Sequence, residues 1–279
     1  MATPNAETNL HTYDGVEVAA HYAALNYLTA CERILFESYI PPGSAILDLG
    51  VGGGRTTRYL ANRASRYIGI DYAAAMVKVC QTKFPELEFL VADAANLAAL
   101  SDASFDVVVF AFNGIDYVLP EQSRRRCLFH IHRVLKAGGC LIFSSHNARA
   151  VLTIPRWNRQ RLQKLARRFS IGSNVLFWLL LGSLTCLRAA MEALRAIGAT
   201  LIRVLKRIPS RMFWRGEGVL IDPAHGGLLT HYWIPRRVIR DLNALHFRPE
   251  RILGDDYPDP SHLYSTDWYY YVFTKTCEK

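Results

Sequence analysis

The feature that most constrains the fold is a glycine-rich turn between an apolar run and a helix start, at residues 45–57 (AILDLGVGGGRTT). The apolar run predicts a strand that is buried on both faces. Glycines let the backbone turn tightly and approach a ligand closely. The helix that follows directs its free N–H groups toward that ligand. The turn therefore predicts a nucleotide-type binding site at the end of a buried strand.

The spacing of the turn discriminates between three ligands: a phosphate, a dinucleotide and S-adenosylmethionine. A phosphate-binding loop needs GxxxxGK[ST], which is absent here, and the dinucleotide pattern needs a small residue where Arg55 stands. The spacing that fits is Asp48-x-Gly50-x-Gly52-x-Gly54. It resembles the first motif of the class I S-adenosylmethionine-dependent methyltransferases. In that family the acid lies near the methionine end of the cofactor, and the glycines admit its ribose and methionine moieties.

Apolar runs and helical stretches alternate through the first 147 residues. The apolar runs are 45–49, 67–70, 87–91, 106–112 and 140–144, and residues 19–39 predict a helix before them. This alternation is typical of a doubly wound α/β fold. The resemblance implies a Rossmann-like, seven-stranded, mostly parallel sheet with helices on both faces and an antiparallel last hairpin.

Further motifs follow in the order that the family shows. Asp71, followed by Tyr72, ends the second apolar run, where an acid accepts hydrogen bonds from ribose hydroxyls. Asp93 and Ala94 follow the third run, where the resemblance implies contact with the adenine. Residues 131–147 resemble the family's "RVLKPGG" helix-turn-strand element, with alanine in place of proline. The resemblance implies S-adenosyl-L-methionine as cofactor and these binding residues: Asp48, Gly50, Gly52, Gly54, Asp71, Tyr72, Asp93, Ala94, Phe112, Asn113 and Gly114.

Histidines are the candidate general bases, because their ordinary pKa lies near neutrality. His146 follows the fifth predicted strand at its carboxyl end, and His231 lies in the stretch entering the last helix. We predict these two as catalytic residues, with His225 as a weaker candidate. The predicted substrate-lining residues follow the fourth strand or adjoin His231: Ile115, Asp116, Tyr117 and Tyr232.

The positive charge of the chain is concentrated in one segment. Residues 151–215 carry 13 Lys/Arg and one acid, whereas the whole chain has a net charge of +9. We predict three parts: the cofactor-binding core with its N-terminal helix (1–147), a basic, largely helical insertion after strand five (148–217), and the C-terminal part of the core (218–279). The insertion fits two main interpretations, a helical lid or a segment that contacts an anionic membrane surface or a lipid-linked substrate; binding of anionic substrates or nucleic acid is a further alternative.

Localisation and metal content follow from absent patterns. The N-terminus lacks the basic and apolar regions of a signal peptide, and the longest apolar run, 175–187, is too short to span a bilayer unaided. The six cysteines form no CxxC pair or zinc-type cluster. We expect a cytoplasmic protein, peripheral at the membrane under the second interpretation of the insertion, and no bound metal.

The expected function is methyl transfer to a small molecule at a hydroxyl, of a natural-product, lipid-linked or sugar type. An N-methyltransferase or an RNA methyltransferase is the alternative enzyme. No NPPY-type tetrad follows the fourth strand, which argues against methylation of adenine or glutamine nitrogens. No RNA-binding module is visible, so nucleic acid is not the expected partner. A binding protein that kept the fold and lost catalysis is the non-enzymatic alternative.

Overall fold

A computed structural model describes residues 4–150, 183, 187, 216–222, 228–261 and 266–276. Most of the predicted insertion 148–217 therefore lies outside the described residues, as does His225. Its helical character and both of its proposed roles stay predictions, and so do the three-part boundaries. None of the helices that the structure describes is long and apolar enough to cross a bilayer.

A seven-stranded sheet forms the centre of the molecule. Its strands are ordered β3-β2-β1-β4-β5-β9-β8. The first five are parallel, and β9 is antiparallel to both of its neighbours. The strands are β1 (Ser44–Leu49), β2 (Ala64–Asp71), β3 (Glu88–Val91), β4 (Phe105–Phe110), β5 (Leu135–His146), β8 (Phe247–Gly254) and β9 (Trp268–Lys275). The predicted fold class is confirmed.

Helices cover both faces of this sheet. All six residues of β1 are buried, as the mostly apolar run predicts for a central parallel strand. Two separate clusters of buried side chains occupy the two faces, one around Leu47 and the other around Ile46. The described helices are α1 (Pro4–Tyr13), α2 (Val16–Ala24), α3 (Ala30–Tyr39), α4 (Thr57–Ala61), α5 (Ala74–Lys83), α6 (Glu121–Val134) and, late in the chain, α7 (Pro235–Asn243).

The single helix predicted over 19–39 is wrong, because α2 and α3 are separated by residues 25–29. The second helix begins at a capping box. The Thr29 side chain accepts from the backbone N–H of Glu32, and the Glu32 carboxylate accepts from the backbone N–H of Thr29. This reciprocal pairing satisfies two N–H groups that a helix start leaves free. The apolar periodicity continues across the break, which is why periodicity alone missed it.

A second, two-stranded sheet stands apart from the main one. Strands β6 (Glu217–Asp222) and β7 (Leu228–Trp233) form an antiparallel hairpin. An isolated bridge between Asn147 and Trp233 joins the hairpin to the end of β5. Asn9 of α1 exchanges two hydrogen bonds with the backbone of Leu229 in β7. The hairpin and the N-terminal helix thus meet above the carboxyl end of the sheet.

Candidate active site

The glycine turn lies at the carboxyl end of β1, where open α/β sheets bind ligands. Gly50 and Gly52 have φ angles of +62° and +53°, which favour glycine. A Cβ at Gly50 would lie 2.7 Å from the Phe110 ring. A Cβ at Gly52 would meet only the Tyr22 ring, at 3.8 Å, and would stand in the space next to the turn. The missing side chain at Gly52 is therefore what leaves room for a ligand against the backbone.

Asp71 ends β2 beside this turn. Its carboxylate accepts hydrogen bonds from the backbone N–H of Gly52 (2.8 Å) and of Ala73 (3.0 Å), one on each oxygen. Burial raises its pKa to about 6, and these backbone donors limit the rise. Each carboxylate oxygen has a second lone pair. The oriented, cavity-facing carboxylate fits a ligand that carries two neighbouring hydroxyls, such as a ribose.

Asp48 lies beneath the turn and does not line the cavity. Its Oδ2 accepts from the hydroxyls of Tyr67 (2.8 Å) and Thr56 (3.3 Å). Burial raises its pKa to about 7, although these hydrogen bonds lower it in part. The structure therefore does not place the Asp48 carboxylate against the cofactor space. It joins β1, β2 and the start of α4 under the turn.

A cavity of about 570 Å³ opens over the glycine turn, a volume typical of small-molecule sites. It brings together residues from both ends of the chain and from the ends of six strands: β1, β2, β4, β5, β7 and β9. The predicted residues that line it are Gly50, Gly52, Asp71, Phe112, Asn113, Gly114, Tyr117, His146 and Tyr232.

Other predicted cofactor residues lie near the cavity without lining it. Asp93 is exposed and accepts from the backbone N–H of Ala95 (2.8 Å), as a turn residue does. Tyr72 packs against Tyr13, 6.0 Å between ring centroids. Gly54 turns away, since a Cβ there would meet the Phe84 ring at 2.8 Å. The predicted residues absent from the cavity lining are Asp48, Gly54, Tyr72, Asp93, Ala94, Ile115, Asp116 and His231.

Several cavity residues escaped the sequence argument. Tyr13 and Tyr22 come from α1 and α2, which fold back over the glycine turn, and no sequence pattern announces this packing. Trp268 begins β9 and pairs in register with His146 of β5. The antiparallel pairing that the family implies could have placed Trp268 there.

Arg55 is a further cavity residue whose role differs from the expectation. Its guanidinium forms a bidentate, buried ion pair with Glu32, with N–O distances of 2.7 and 2.5 Å. It also donates to the backbone carbonyl of Tyr27 (2.9 Å) and lies 4.8 Å from the centre of the Phe112 ring. Arg55, which does not fit the dinucleotide pattern, thus links α3 to the glycine turn.

His146 stands at the far side of the cavity, paired with a buried carboxylate. Its Nδ1 lies 2.8 Å from Oδ2 of Asp116, and the same oxygen accepts from the backbone N–H of His146 (2.7 Å). The other ring nitrogen, Nε2, lies 3.3 Å from the side-chain nitrogen of Asn113. An ionised carboxylate only accepts hydrogen bonds, and an amide NH₂ only donates them. These partners place the ring proton on Nδ1 and leave a lone pair on Nε2.

His231 does not reach the cavity. It is 3% exposed, and its Nε2 lies 3.8 Å from a carboxylate oxygen of Glu217 in the same hairpin. Burial lowers its pKa, against the opposing effect of Glu217. Strand alternation explains the position, because His231 and Tyr232 are consecutive in β7 and face opposite sides. Only Tyr232 faces the cavity, so the geometry gives His231 no part in proton removal there.

Comparisons with known proteins find methyltransferases among the similar chains. Residues 46–139 match the family model described as "Methyltransferase domain". The chain is 30% identical over 149 residues to a tRNA (carboxymethyluridine(34)-5-O)-methyltransferase of Arabidopsis thaliana, covering 51% of this chain and 34% of that protein. It is 30% identical over 125 residues to a demethylmenaquinone methyltransferase of Paenarthrobacter aurescens, covering 45% and 46%.

The fold has a solved counterpart in a Burkholderia thailandensis 1,6-didemethyltoxoflavin-N1-methyltransferase, whose structure contains S-adenosylhomocysteine. The TM-score is 0.58 at 14% identity, covering 99% of this chain and 92% of that one. Fold and crevice define an α/β nucleotide-binding protein of the Rossmann-like class. Residues 46–139 match a methyltransferase domain, and the fold around them is similar to that of solved S-adenosylmethionine-dependent methyltransferases. The chain spans less than half the length of the two curated relatives described above.

Proposed function

We propose that this protein transfers a methyl group from S-adenosylmethionine to a hydroxyl of a small molecule, with His146 as general base. The observation that carries the proposal is the His146–Asp116 pair at the cavity wall. S-adenosylmethionine, when bound, supplies a methyl group that the positive sulfonium has already activated. The chain has to bind both reactants, align them and remove the hydroxyl proton.

Binding of the cofactor rests on the residues at the carboxyl ends of β1, β2 and β4. Asp71 offers its carboxylate to the ribose, and the open backbone at Gly52 gives the ligand close access. Within the described part of the chain, the buried side-chain oxygen of Asn113, a cavity-lining residue, has no hydrogen-bond partner. A buried acceptor without a partner costs free energy until a ligand donor meets it. Alignment of two bound reactants contributes roughly 7–11 kcal/mol to such a reaction.

Proton removal is the step for which this site favours a hydroxyl oxygen as the methyl acceptor. A hydroxyl is poorly ionised near neutral pH, so its attack benefits from a base, which contributes about 10²–10⁴-fold in rate. The Nε2 lone pair of His146 can take this proton once the acceptor hydroxyl replaces the side-chain N–H of Asn113, because Asp116 holds the ring proton on Nδ1. The rings of Tyr232 and Trp268 lie 5.0 and 6.4 Å from the His146 ring and give the acceptor apolar walls.

RNA is the second candidate acceptor, and one observation favours it. The first of the relatives above is named for methylation of a tRNA oxygen. The high positive charge of residues 151–215 would also suit a polyanion, although the same charge suits an anionic lipid surface. The small-molecule proposal is preferred because the described cavity has a volume typical of small-molecule sites.

The test uses S-adenosylmethionine with a deuterated methyl group, incubated with the protein and either a small-molecule extract or total tRNA. Mass spectrometry then locates the labelled methyl. We expect a labelled ether in the small-molecule arm, at least about a hundredfold less of it with His146→Asn, and an unchanged yield with His130→Asn on α6. Label on nitrogen, label in tRNA alone, or full activity of His146→Asn would refute the proposal.

A further inference from the structure

A buried chain of hydrogen bonds lies behind His146, on the side away from the cavity. It runs from the indole N–H of Trp233 to the hydroxyl of Ser145, and from there to Oδ1 of Asp116 (2.6 Å). All three residues are at most 1% exposed, and none lines the cavity. Nothing in the proposed reaction uses Trp233 or Ser145 directly.

The direction of every bond in this chain follows from the chemistry of its groups. An indole N–H only donates, so the Ser145 oxygen accepts from Trp233. The single proton of the Ser145 hydroxyl is then left for Asp116, which accepts it on Oδ1. The other carboxylate oxygen, Oδ2, faces the backbone N–H and Nδ1 of His146. Each end of the carboxylate is thus assigned to a different partner.

This arrangement favours the ionised carboxylate in one orientation. With a proton on Oδ1 of Asp116, that oxygen would have to donate to Ser145, and the Ser145 proton would lose its acceptor. Buried polar groups without partners are costly. The ionised form avoids this cost, and its Oδ2 then holds the Nδ1 proton of His146.

Trp233 belongs to the β6–β7 hairpin, outside the main sheet. The preceding residue, Tyr232, lies on the cavity side of the same strand, 5.0 Å from the His146 ring. The hairpin is therefore linked to the candidate base directly through Tyr232 and indirectly through Trp233. On its cavity face it supplies a ring beside the imidazole, and on its buried face it supplies the donor that begins the chain to Asp116.

Other charged and titratable groups face this cluster from the elements packed against it. The guanidinium of Arg124, on α6, lies 5.2 Å from the Trp233 ring and interacts electrostatically with Asp116. His231 of β7 and Tyr271 of β9 also interact electrostatically with Asp116. Neither forms a hydrogen bond to Asp116 that the structure records. The direct hydrogen-bond donors to its carboxylate come from Ser145 and His146 alone within the described part of the chain.

We propose that Trp233 and Ser145 are positioning residues, which fix the orientation and charge of the Asp116 carboxylate and through it the ring tautomer of His146. The inference rests on the proposed function, in which His146 removes the acceptor proton. It goes further in assigning the β6–β7 hairpin a part in setting up the base.

The test compares three single variants of the full chain. Trp233→Phe keeps an aromatic ring and removes the N–H, and Ser145→Ala removes the hydroxyl. Thr230→Val is the control, because Thr230 is fully buried in the same hairpin and its hydroxyl donates to the Leu228 carbonyl. Binding of S-adenosylmethionine by calorimetry shows that each variant is folded.

The first readout is the Nδ1–H signal of His146 in nitrogen-15 NMR of histidine-labelled protein, assigned with His146→Asn. In wild type and Thr230→Val we expect one neutral tautomer with its proton on Nδ1. In Trp233→Phe and Ser145→Ala we expect exchange of that proton with water to be about tenfold faster, because a lost hydrogen bond to a charged group loosens the carboxylate. Exchange within about twofold of wild type in both variants would overturn the proposal.

The second readout separates this inference from the proposed function. Once an acceptor is identified, Trp233→Phe and Ser145→Ala should each lower kcat about tenfold, while KM stays within about twofold of the wild-type value. Wild-type kcat in both variants would also overturn the inference. If His146→Asn retains full activity, the proposed base is wrong. The NMR comparison still decides whether the hydrogen bonds from Trp233 through Ser145 to Asp116 position the His146 ring. If Ser145→Ala does not fold, Trp233→Phe carries the test.

Discussion

Asp48 is a buried carboxylate, and its negative charge destabilises the folded protein. Its Oδ2 accepts two hydroxyl hydrogen bonds, from Tyr67 and Thr56. Burial is the main cause that raises its pKa, from 3.8 to about 7. Replacing it by asparagine keeps an oxygen for these two donors and removes the charge. We therefore predict that Asp48→Asn is more stable than wild type above neutral pH.

The sign and size of the effect follow from proton linkage. Between about pH 4 and pH 7 the folded state holds a proton on Asp48 that the unfolded state has released, so stability falls as pH rises through this window. A shift of about three pKa units corresponds to roughly 4 kcal/mol at pH 8, which is an upper bound because the buried amide loses some of the carboxylate's hydrogen-bonding capacity. Near pH 4 the two proteins should be equally stable.

Urea unfolding of both proteins between pH 4 and pH 8 measures this difference. Asp106→Asn is the contrasting control. The pKa of Asp106 is lowered, against the effect of its burial, by the ammonium of Lys136 and the backbone N–H of Ala45. Asp106→Asn should be less stable than wild type at pH values above the pKa of an unfolded aspartate, and as stable as wild type in acid.

Asp48→Asn should also bind S-adenosylmethionine within about threefold of wild type, as expected for a group with no direct ligand contact. A less stable variant at pH 8, or a tenfold loss of binding, would refute the placement of Asp48 beneath the turn.

Three further predictions concern the cavity wall. Gly52→Val should weaken binding of S-adenosylmethionine in calorimetry at least a hundredfold, since its side chain fills the ligand space, and near-normal binding would exclude the glycine turn as the site. Asp71→Asn should weaken binding about tenfold or more, because a hydrogen bond to a charged group contributes about 1.5–3 kcal/mol; unchanged affinity would mean that no ribose meets Asp71. Glu32→Gln should destabilise the protein by about 3–5 kcal/mol in urea unfolding, because Arg55 is left buried and uncompensated, and a loss below about 1 kcal/mol would contradict this.

The core of the fold and part of the site follow from local sequence patterns. A strand buried on both faces is mostly apolar, as β1 is apart from Ser44 and Asp48. The glycine turn and Asp71 are equally local, since they depend on backbone geometry at the end of one strand and on the acid that ends its neighbour. Because parallel strands end at one edge of the sheet, the sequence also places His146 and Asn113 at that edge.

The sequence determined the class of fold, the cofactor edge of the sheet and the position of His146, because each depends on residues close together in the chain. Only the tertiary structure decided which side chains face the cavity. His231 and Tyr232 differ by one position, and the register of the hairpin sends one into the interior and the other to the ligand space. Asp116 likewise became a partner of His146 because a short 3-10 turn, Gly114–Tyr117, directs it inward. Such choices depend on contacts between distant segments, which no local pattern records.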